Sequence, residues 1–321
     1  MKRPNLSDKL DKKRRIWAER TADALQVDRA TASEILNTKR QQSIRLNALR
    51  QDPAKTLAEL VELGWKGERY PWVGNGYSVR SDMTVIRDSD LVASGKVFIQ
   101  NASSWLPVIA LDPQPEERIL DVCAAPGGKT SHIAELSKNR AEIWANDNSR
   151  PRLARLRANM ERLNATVAHY TLYEASFLAR KLESQQYDKI LLDAPCSGEG
   201  LMRLDQEKDL STWSVAQIKR LQQLQKRLLT QAWQLLKPGG TLVYSTCTMA
   251  PEEDEAVIDY ILRSQTDAVI QPIDIALANR VEPVKEWNGR AFSSDIQYCV
   301  RLQPSPNLEA FFVCKLTKKA T

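Results

Sequence analysis

The spacing of apolar positions changes character near residue 97. Before that point the pattern is mixed. Leu10, Trp17, Ala18 and Leu25 recur at roughly helical intervals among Lys and Arg, which predicts a basic amphipathic helix over 7–24 with Ser7 as its N-cap. A second helix is expected to start near Asp28 and end before Lys39. SIRLNAL (43–49) reads as a strand, and Asp52-Pro53 opens a helix through LAELVEL that Gly64 ends. Short strands and turns around GNG (74–76) and SDM (81–83) complete an expected small α+β domain over 1–97. From 98 onward the periods alternate. ERILDVC, AEIWAND, YDKILLDA and TLVYSTCT read as strands. KTSHIAELS, RPRLARLRANMERLN, the long run from Ser214 to Leu236 and EEDEAVIDYILRS read as helices, with Pro238-Gly239-Gly240 stopping the third of them. Such alternation predicts an α/β domain over 98–321, built on a mostly parallel sheet covered on both faces. Ligands of these sheets bind beyond the C-terminal ends of the strands.

Composition sharpens this picture. With 321 residues, 42% of them hydrophobic, the chain can bury one sizeable core and a smaller second one. The net charge of +6 is concentrated: residues 1–50 hold 13 Lys/Arg and 6 Asp/Glu, or +7, so the rest sums to −1. A basic end on a near-neutral body suits a polyanionic partner, although a solvated helical face carries the same signature. The five cysteines are odd in number and form no CxxC pair, and there are only two histidines. A disulfide scaffold and a zinc site are therefore not expected, and no metal is assigned. The chain opens without a signal-peptide pattern and lacks an apolar run of the roughly 20 residues a membrane helix needs, so a reducing, cytoplasmic setting with no membrane partner is expected. Monomer is the default oligomeric state.

Two features carry chemistry. The first is the turn in LDVCAAPGGKT (120–130). GGKT invites a phosphate-loop reading, but the first glycine of that motif would fall at Cys123. The dinucleotide fingerprint is absent too. What remains is a strand, a turn through Ala124, Ala125, Pro126, Gly127 and Gly128, and a helix starting near Lys129. About 20 residues on, the next strand ends at Asp147, where a carboxylate can accept both hydroxyls of a ribose. Turn plus acid, without phosphate machinery, suits S-adenosylmethionine, although the turn alone is compatible with an ordinary strand–helix connection. The second feature is a pair of cysteines at predicted strand ends, Cys196 in DAPCSG and Cys247 in STCT, with Asp193 three residues before Cys196. A thiolate is one of the few side chains able to attack a pyrimidine ring.

Together with GKVFIQNASSWLPVIAL (95–111), PGGTLVYSTCT (238–248) and PEEDE (251–255), these motifs resemble the RNA cytosine-5 methyltransferases of the NOL1/NOP2/Sun family, in that family's order and over about residues 43–316. Bacterial ribosomal RNA members look most similar. The resemblance implies a class I S-adenosylmethionine-dependent methyltransferase fold, Rossmann-like, with seven strands of which one is antiparallel, behind a small N-terminal RNA-binding domain. It implies that Cys247 attacks C6 of the cytosine and that Cys196 assists product release. The residues alone do not assign those two roles. It further implies that Asp193 contacts the N3/N4 edge of the base, and that Cys123–Lys129 wrap the methionine end and ribose of the cofactor. Asp147 would hold the ribose hydroxyls. Glu174 stands where the family usually has Asp near the adenine amino group, and Arg152 is either paired with an acid of the pocket or a surface arginine. Two departures touch the pocket: Ser305 replaces a usual histidine in PSPNLEAFFVCKL, and Gln100-Asn101 replaces Gln-Glu or Gln-Asp. Cys299 and Cys314 read as small buried apolar residues.

The expected partner is RNA, ribosomal by resemblance, with transfer RNA as the alternative. SIRLNALR (43–50) and the arginines at 150, 152, 155 and 157 are candidate phosphate contacts, and Arg203 is a candidate contact to the target strand. Trp65, Tyr70 and Trp72 are candidates for stacking on bases, while Trp17 reads as packing. A non-catalytic RNA-binding factor on the same scaffold is the rival from another class. An amino-methyltransferase is disfavoured, since its Asn/Asp-Pro-Pro-aromatic motif is replaced by Asp193-Ala194-Pro195-Cys196.

Overall fold

The computed structural model describes residues 6–184 and 186–320. The first strands, β1 (Gln42–Leu46), β2 (Gly76–Val79) and β3 (Val97–Ile99), form an antiparallel sheet in the order β2-β1-β3. Helix Pro53–Glu62 covers it, capped by Asp52, whose carboxylate accepts the Ala54 amide at 2.8 Å. Ile44, Leu46, Leu60, Ile86 and Val97 make the core of this unit. The expected strand over 43–49 stops at Leu46 because Asn47 turns the chain, donating its amide to Gly95 O at 2.9 Å and Leu163 O at 2.7 Å. That one side chain ties the small sheet to the larger domain.

The two N-terminal helices, Leu6–Leu25 and Arg29–Leu36, belong to a different cluster. Trp17 and Leu36 pack with Leu210, Trp213, Ile218 and Met249 from far along the chain. The rings of Trp17 and Trp213 stack with centroids 5.9 Å apart.

The main sheet comprises β4 (Arg118–Asp121), β5 (Glu142–Asn146), β6 (His169–Thr171), β7 (Tyr187–Asp193), β8 (Leu236–Thr246), β9 (Ala268–Gln271) and β10 (Arg280–Val281). A small hairpin of β11 (Glu286–Trp287) and β12 (Arg290–Ala291) stands apart, and β13 (Val300–Leu302) and β14 (Phe311–Lys318) complete the main sheet. Its order is β6-β5-β4-β7-β8-β14-β13-β10, with β9 also on β14. β6 through β8 run parallel, and β14 is antiparallel to β8. Seven strands were expected, and nine are present among the described residues. The position beyond β14 is divided, since β13 pairs with 311–313 and β9 with 315–318, and β10 extends the edge. Apolar clusters cover both faces, one including Leu106, Ile133 and Leu156 and the other Leu228, Trp233 and Ile258.

Two helix boundaries differ from the sequence pattern. The long helix is Val215–Leu235, and Pro238-Gly239-Gly240 lie inside β8 rather than ending the helix. Tyr187 pairs with Leu236 but Lys189 with Thr241, so the Pro-Gly-Gly stretch bulges out of the ladder. The acidic helix starts at Glu255, since Glu252, Glu253 and Asp254 form a buried turn before it. Among the described residues no helix is long and apolar enough to cross a membrane, and no group of three or more His, Cys, Asp or Glu is placed to hold a metal ion.

Trp17 is fully buried. Trp17→Ala should lower the unfolding free energy by about 3 kcal/mol in urea titration, the cost of emptying a large aromatic site. An unchanged midpoint would mean that the N-terminal helices contribute nothing to the fold.

Candidate active site

β4 ends at Asp121 and the chain turns through Cys123–Gly127 into helix Gly128–Leu136. Gly127 has φ +106°, and a Cβ there would lie 2.6 Å from Met160 Cε and 2.7 Å from Leu156 Cδ1. Only glycine lets the turn close against helix Arg150–Leu163. The Asn146 side chain bonds Val122 O at 3.1 Å, Tyr173 O at 3.1 Å and the Tyr173 amide at 3.0 Å, which fastens the segments following β4 and β6 to β5. Asp147 follows directly. Its carboxylate accepts the Ala125 amide at 3.3 Å and the Ser149 amide at 3.0 Å, and pairs with Arg152 at 3.2 Å. Arg152 also donates to Ala125 O at 2.8 Å, so it pairs with an acid of the pocket while remaining partly exposed. Glu174 accepts from Asn148 Nδ2 at 3.1 Å and Ser176 Oγ at 3.3 Å.

Two cavities meet at Cys123. A narrow one of about 40 Å³ has Val122, Pro195 and Leu228 as apolar walls and Asp147 and Glu174 among its polar ones. A wider one of about 390 Å³ is lined by Asp121, Lys129, Asp193, Leu201, Cys247 and Phe311, among others. Asp147 and Glu174 give the narrow cavity carboxylates able to accept from hydroxyl and amino groups. The wide one brings a thiol, a lysine and two aspartates to one space.

The two candidate thiols come together, with Cys196 Sγ and Cys247 Sγ 3.3 Å apart, both partly exposed. The hydrogen bond to Cys247, with burial second, holds the Cys196 thiol well above its ordinary range. Cys196 is therefore held in its protonated form, in contact with the other sulfur. Asp193 lies alongside. Its Oδ1 accepts from Ser245 Oγ at 2.8 Å and its Oδ2 from Lys129 Nζ at 2.6 Å. Lys129, expected to wrap the cofactor, thus reaches Asp193, and its ammonium sits 5.7 Å from the Phe311 ring centroid. Cys123 is pushed well up by burial and by Asp121, Asp193 and Asp147 around it, which disfavours its thiolate. Cys299 and Cys314 are fully buried.

Several residues of this site were not singled out from sequence. Asp121 lines the wide cavity, and Ser245 and Phe311 flank Asp193 and Lys129. Asp121 sits in the quoted strand ERILDVC but resembles an ordinary strand-end acid. Glu309 lies in the altered stretch near Ser305; it is buried, lines the cavity and accepts the Ser103 amide at 3.3 Å. Ser305 itself only closes a turn, accepting the Leu308 amide at 3.0 Å. Gln100, at the other departure, lines the cavity and bridges Ser104 and Trp105 at 3.1 Å each.

Several RNA candidates are otherwise employed. Arg45 is buried in a pair with Glu135, and Arg50 donates to Arg162 O at 2.8 Å and Glu161 O at 2.6 Å. Trp65 packs edge-on against Tyr77, and Tyr70 and Trp72 pack against Trp105. Tyr70 is buried, while Trp65 and Trp72 are half-buried against the edges of their apolar clusters. Arg203 pairs with Asp205. Arg150, Arg155 and Arg157 remain exposed on one helix, with Arg157 stacked 4.9 Å from the Tyr170 centroid.

The family described as "16S rRNA methyltransferase RsmB/F" matches residues 108–317. The chain is 39% identical over 278 residues to the tRNA (cytosine(49)-C(5))-methyltransferase of Pyrococcus abyssi, covering 86% of this chain and 88% of that protein. It is 39% identical over 233 residues to the ribosomal RNA small subunit methyltransferase F of Aeromonas salmonicida, covering 71% of this chain and 48% of that one. The chain thus spans about half the length of that ribosomal relative. Among solved structures, a methyltransferase homolog protein from Pyrococcus horikoshii superposes with a TM-score of 0.80 at 33% identity, over 98% of this chain and 100% of the other. The fold is shared with NSun6 of Pyrococcus horikoshii, solved with SFG, at a TM-score of 0.81 and 21% identity, over 95% and 98% of the two chains.

Burial drives the Asp121 carboxyl up to about 7, opposed by a 2.7 Å hydrogen bond from Thr130 Oγ1. A carboxyl whose folded pKa exceeds its unfolded one stabilises the fold below about pH 4, and that contribution is lost as pH rises through 7. Asp121→Asn should therefore flatten the decline of unfolding free energy over that window, read by urea titration at several pH values. An unaltered pH dependence would place the titrating group elsewhere.

Proposed function

The chain belongs to the RsmB/F family of RNA cytosine-C5 methyltransferases, and from that premise we propose that it methylates C5 of a cytosine in RNA, using S-adenosylmethionine. The observation that carries this reading is the 3.3 Å contact of Cys196 with Cys247, which lines a cavity that adjoins the narrow slot at Cys123.

The residues fit the cofactor. Asp147 and Glu174 would receive its hydroxyl and amino groups, and the Cys123–Lys129 turn would follow its chain, with Val122, Pro195 and Leu228 as apolar walls. Bound there, S-adenosylmethionine supplies an electrophilic methyl group. The protein makes C5 of the cytosine nucleophilic enough to take it. Cys247 gives up its proton to solvent and its sulfur bonds to C6, which moves an electron pair toward C5. Asp193, fixed by Ser245 and Lys129, faces the same cavity and would bond the N3/N4 edge as charge develops. After methylation C5 loses its proton to solvent, that bond's electron pair re-forms C5=C6, and the C6–S bond breaks with its pair leaving on sulfur. The proton retained on Cys196 serves the departing Cys247 sulfur, which supports Cys196 in product release and Cys247 as the attacker. The target base must be unpaired or flipped to reach the sulfur, at a cost of a few kcal/mol.

Ribosomal RNA is the substrate class favoured by the family description. Transfer RNA is the second reading, favoured by a relative of that activity that aligns over 86% of this chain. Bisulfite sequencing of total RNA from cells lacking the protein should show one lost 5-methylcytosine and so name the RNA. No lost site in any RNA would favour the non-catalytic rival.

Cys247→Ala should reduce methyl transfer by roughly 10³-fold or more. Cys196→Ala should instead accumulate an RNA–protein adduct that survives denaturing electrophoresis. Undiminished transfer by Cys247→Ala would end the covalent reading. Replacing Arg150, Arg155 and Arg157 together by Ala should weaken RNA binding and lower the slope of log affinity against log salt by about 2. An unchanged slope would place the phosphate contacts on another face.

A further inference from the structure

Two buried carboxylates, Glu199 and Glu253, stand beside the cysteine loops and have no part in the reaction above. Glu253 Oε2 accepts the Ser197 amide at 2.9 Å and Gln225 Nε2 at 2.8 Å. Gln225 Nε2 also donates to Pro195 O at 2.9 Å. One carboxylate–amide unit thus grips the residues on both sides of Cys196. On the other strand, Thr248 follows Cys247. Its Oγ1 lies 2.7 Å from Ser197 Oγ, 3.2 Å from Glu199 Oε2 and 3.5 Å from Glu253 Oε1. Glu199 is itself fixed by Trp213 Nε1 at 2.7 Å and the Met249 amide at 3.3 Å.

The hydroxyls of this cluster are fully used. Ser197 and Thr248 bring one hydroxyl proton each, and the short contact between their oxygens uses one. The other reaches Glu199 Oε2, the nearer carboxylate. Thr248 Oγ1 also accepts the Ala250 amide at 3.2 Å, so Glu253 Oε1, 3.5 Å away, stands outside this set and Glu253 acts on the cluster through Ser197. The groups around Glu253 do not favour its charge. Glu199, Asp254, Cys196 and Tyr244 face it, Arg301 is engaged by Asp254 and Glu255, and Arg20 by Glu252. Among the described residues no cation pairs with it. Burial first, and Glu199 after it, push the carboxyl to about 7 against the hydrogen bonds of Ser197 and Gln225.

We propose that Glu253 is a positioning residue that holds segment 195–197 against 247–248 and so keeps the two sulfur atoms in contact. With Gln225 it sets the backbone on either side of Cys196. Through Ser197, whose hydroxyl meets Thr248 Oγ1 at 2.7 Å, it joins that backbone to the residue after Cys247.

The inference rests on the two-thiol reading of the site, so its primary test requires no RNA. Dibromobimane becomes strongly fluorescent when it bridges two adjacent thiols. Glu253→Gln keeps an acceptor for the Ser197 amide and for Gln225, and should bridge at the wild-type rate. Glu253→Ala should lose bridging by about tenfold or more, and kcat on a responsive RNA by about 10²-fold, with cofactor affinity unchanged. Should the alanine variant fail to bind cofactor, Thr248→Val breaks the same link from its other end and should show the same loss of bridging. Wild-type bridging by both Glu253→Ala and Thr248→Val, or a Glu253→Gln variant that loses bridging as Glu253→Ala does, would overturn the proposal. Bridging that behaves as expected in a protein that methylates no RNA would sink the functional reading and leave the positioning role standing.

Discussion

The parallel ladder between β7 and β8 sets Asp193 opposite Ser245, and the Ala194 amide continues it to Ser245 O at 2.9 Å. Neighbouring strands lie about 4.8 Å apart, so chains leaving the same end of such a pair stay within side-chain reach of each other. Cys196 and Cys247 lie three and two residues past the last partners, one on each chain. Their contact is therefore a consequence of strand pairing at the sheet end. β4, the next strand on the other side of β7, delivers the Cys123–Gly127 turn to the same end. Adding or removing one residue within β7 would reverse its alternation and remove Asp193 from Ser245. Thiols, acid and candidate cofactor loop all depend on this one register.

Holding two loops in contact at the end of a sheet has an electrostatic cost. The turn after Cys247 places Glu252, Glu253, Asp254 and Glu255 in the interior. Unpaired buried carboxylates would cost several kcal/mol each. The chain offsets this with buried Arg301 at 3.3 Å from Asp254 and 3.0 Å from Glu255, with Arg20 at 2.7 Å from Glu252, and with Thr246 Oγ1 at 2.5 Å from Asp254. An apolar turn would be cheaper. The acids give direction instead, because each bond fixes an angle as well as a distance, and a nucleophile that must meet one carbon atom needs that precision.

What the sequence made legible, and what it hid, follows from range. The strand–helix alternation from residue 98, the Asp52 cap and the glycine turn at 127 are local, and their positions follow from period and turn chemistry. The cysteines were legible because their residue type and placement at strand ends are unusual together. Long-range partners were hidden. Nothing in SIRLNALR says that Arg45 ends on Glu135 inside the protein while its neighbours line a sheet. Pro238-Gly239-Gly240 carries every sign of a helix stop, yet β8 pairs with β7 on both sides of it and absorbs it as a bulge. The aromatics at 65, 70 and 72 could not be sorted into stacking and packing, since Trp105, against which two of them lie, is brought in by the fold.

The N-terminal helices show how far such a partner can lie. Lys13 donates to Leu210 O at 2.9 Å and Arg14 to Leu204 O at 3.3 Å, while Arg40 donates to Gly200 O at 2.5 Å and Met202 O at 2.9 Å. Each of these acceptors is a backbone carbonyl of the segment that follows Cys196. Gly200 is its tightest point. Its amide bonds Cys247 O at 2.9 Å, and a Cβ there would stand 2.2 Å from Ala310 O and 2.8 Å from Cys247 O. A segment with so little freedom at Gly200 transmits what holds it. The basic N-terminal region therefore does more than add positive charge for a polyanion. Its cations are used on the carbonyls of the segment after Cys196, which makes the position of Leu201 in the wall of the wide cavity depend on residues more than 150 places earlier.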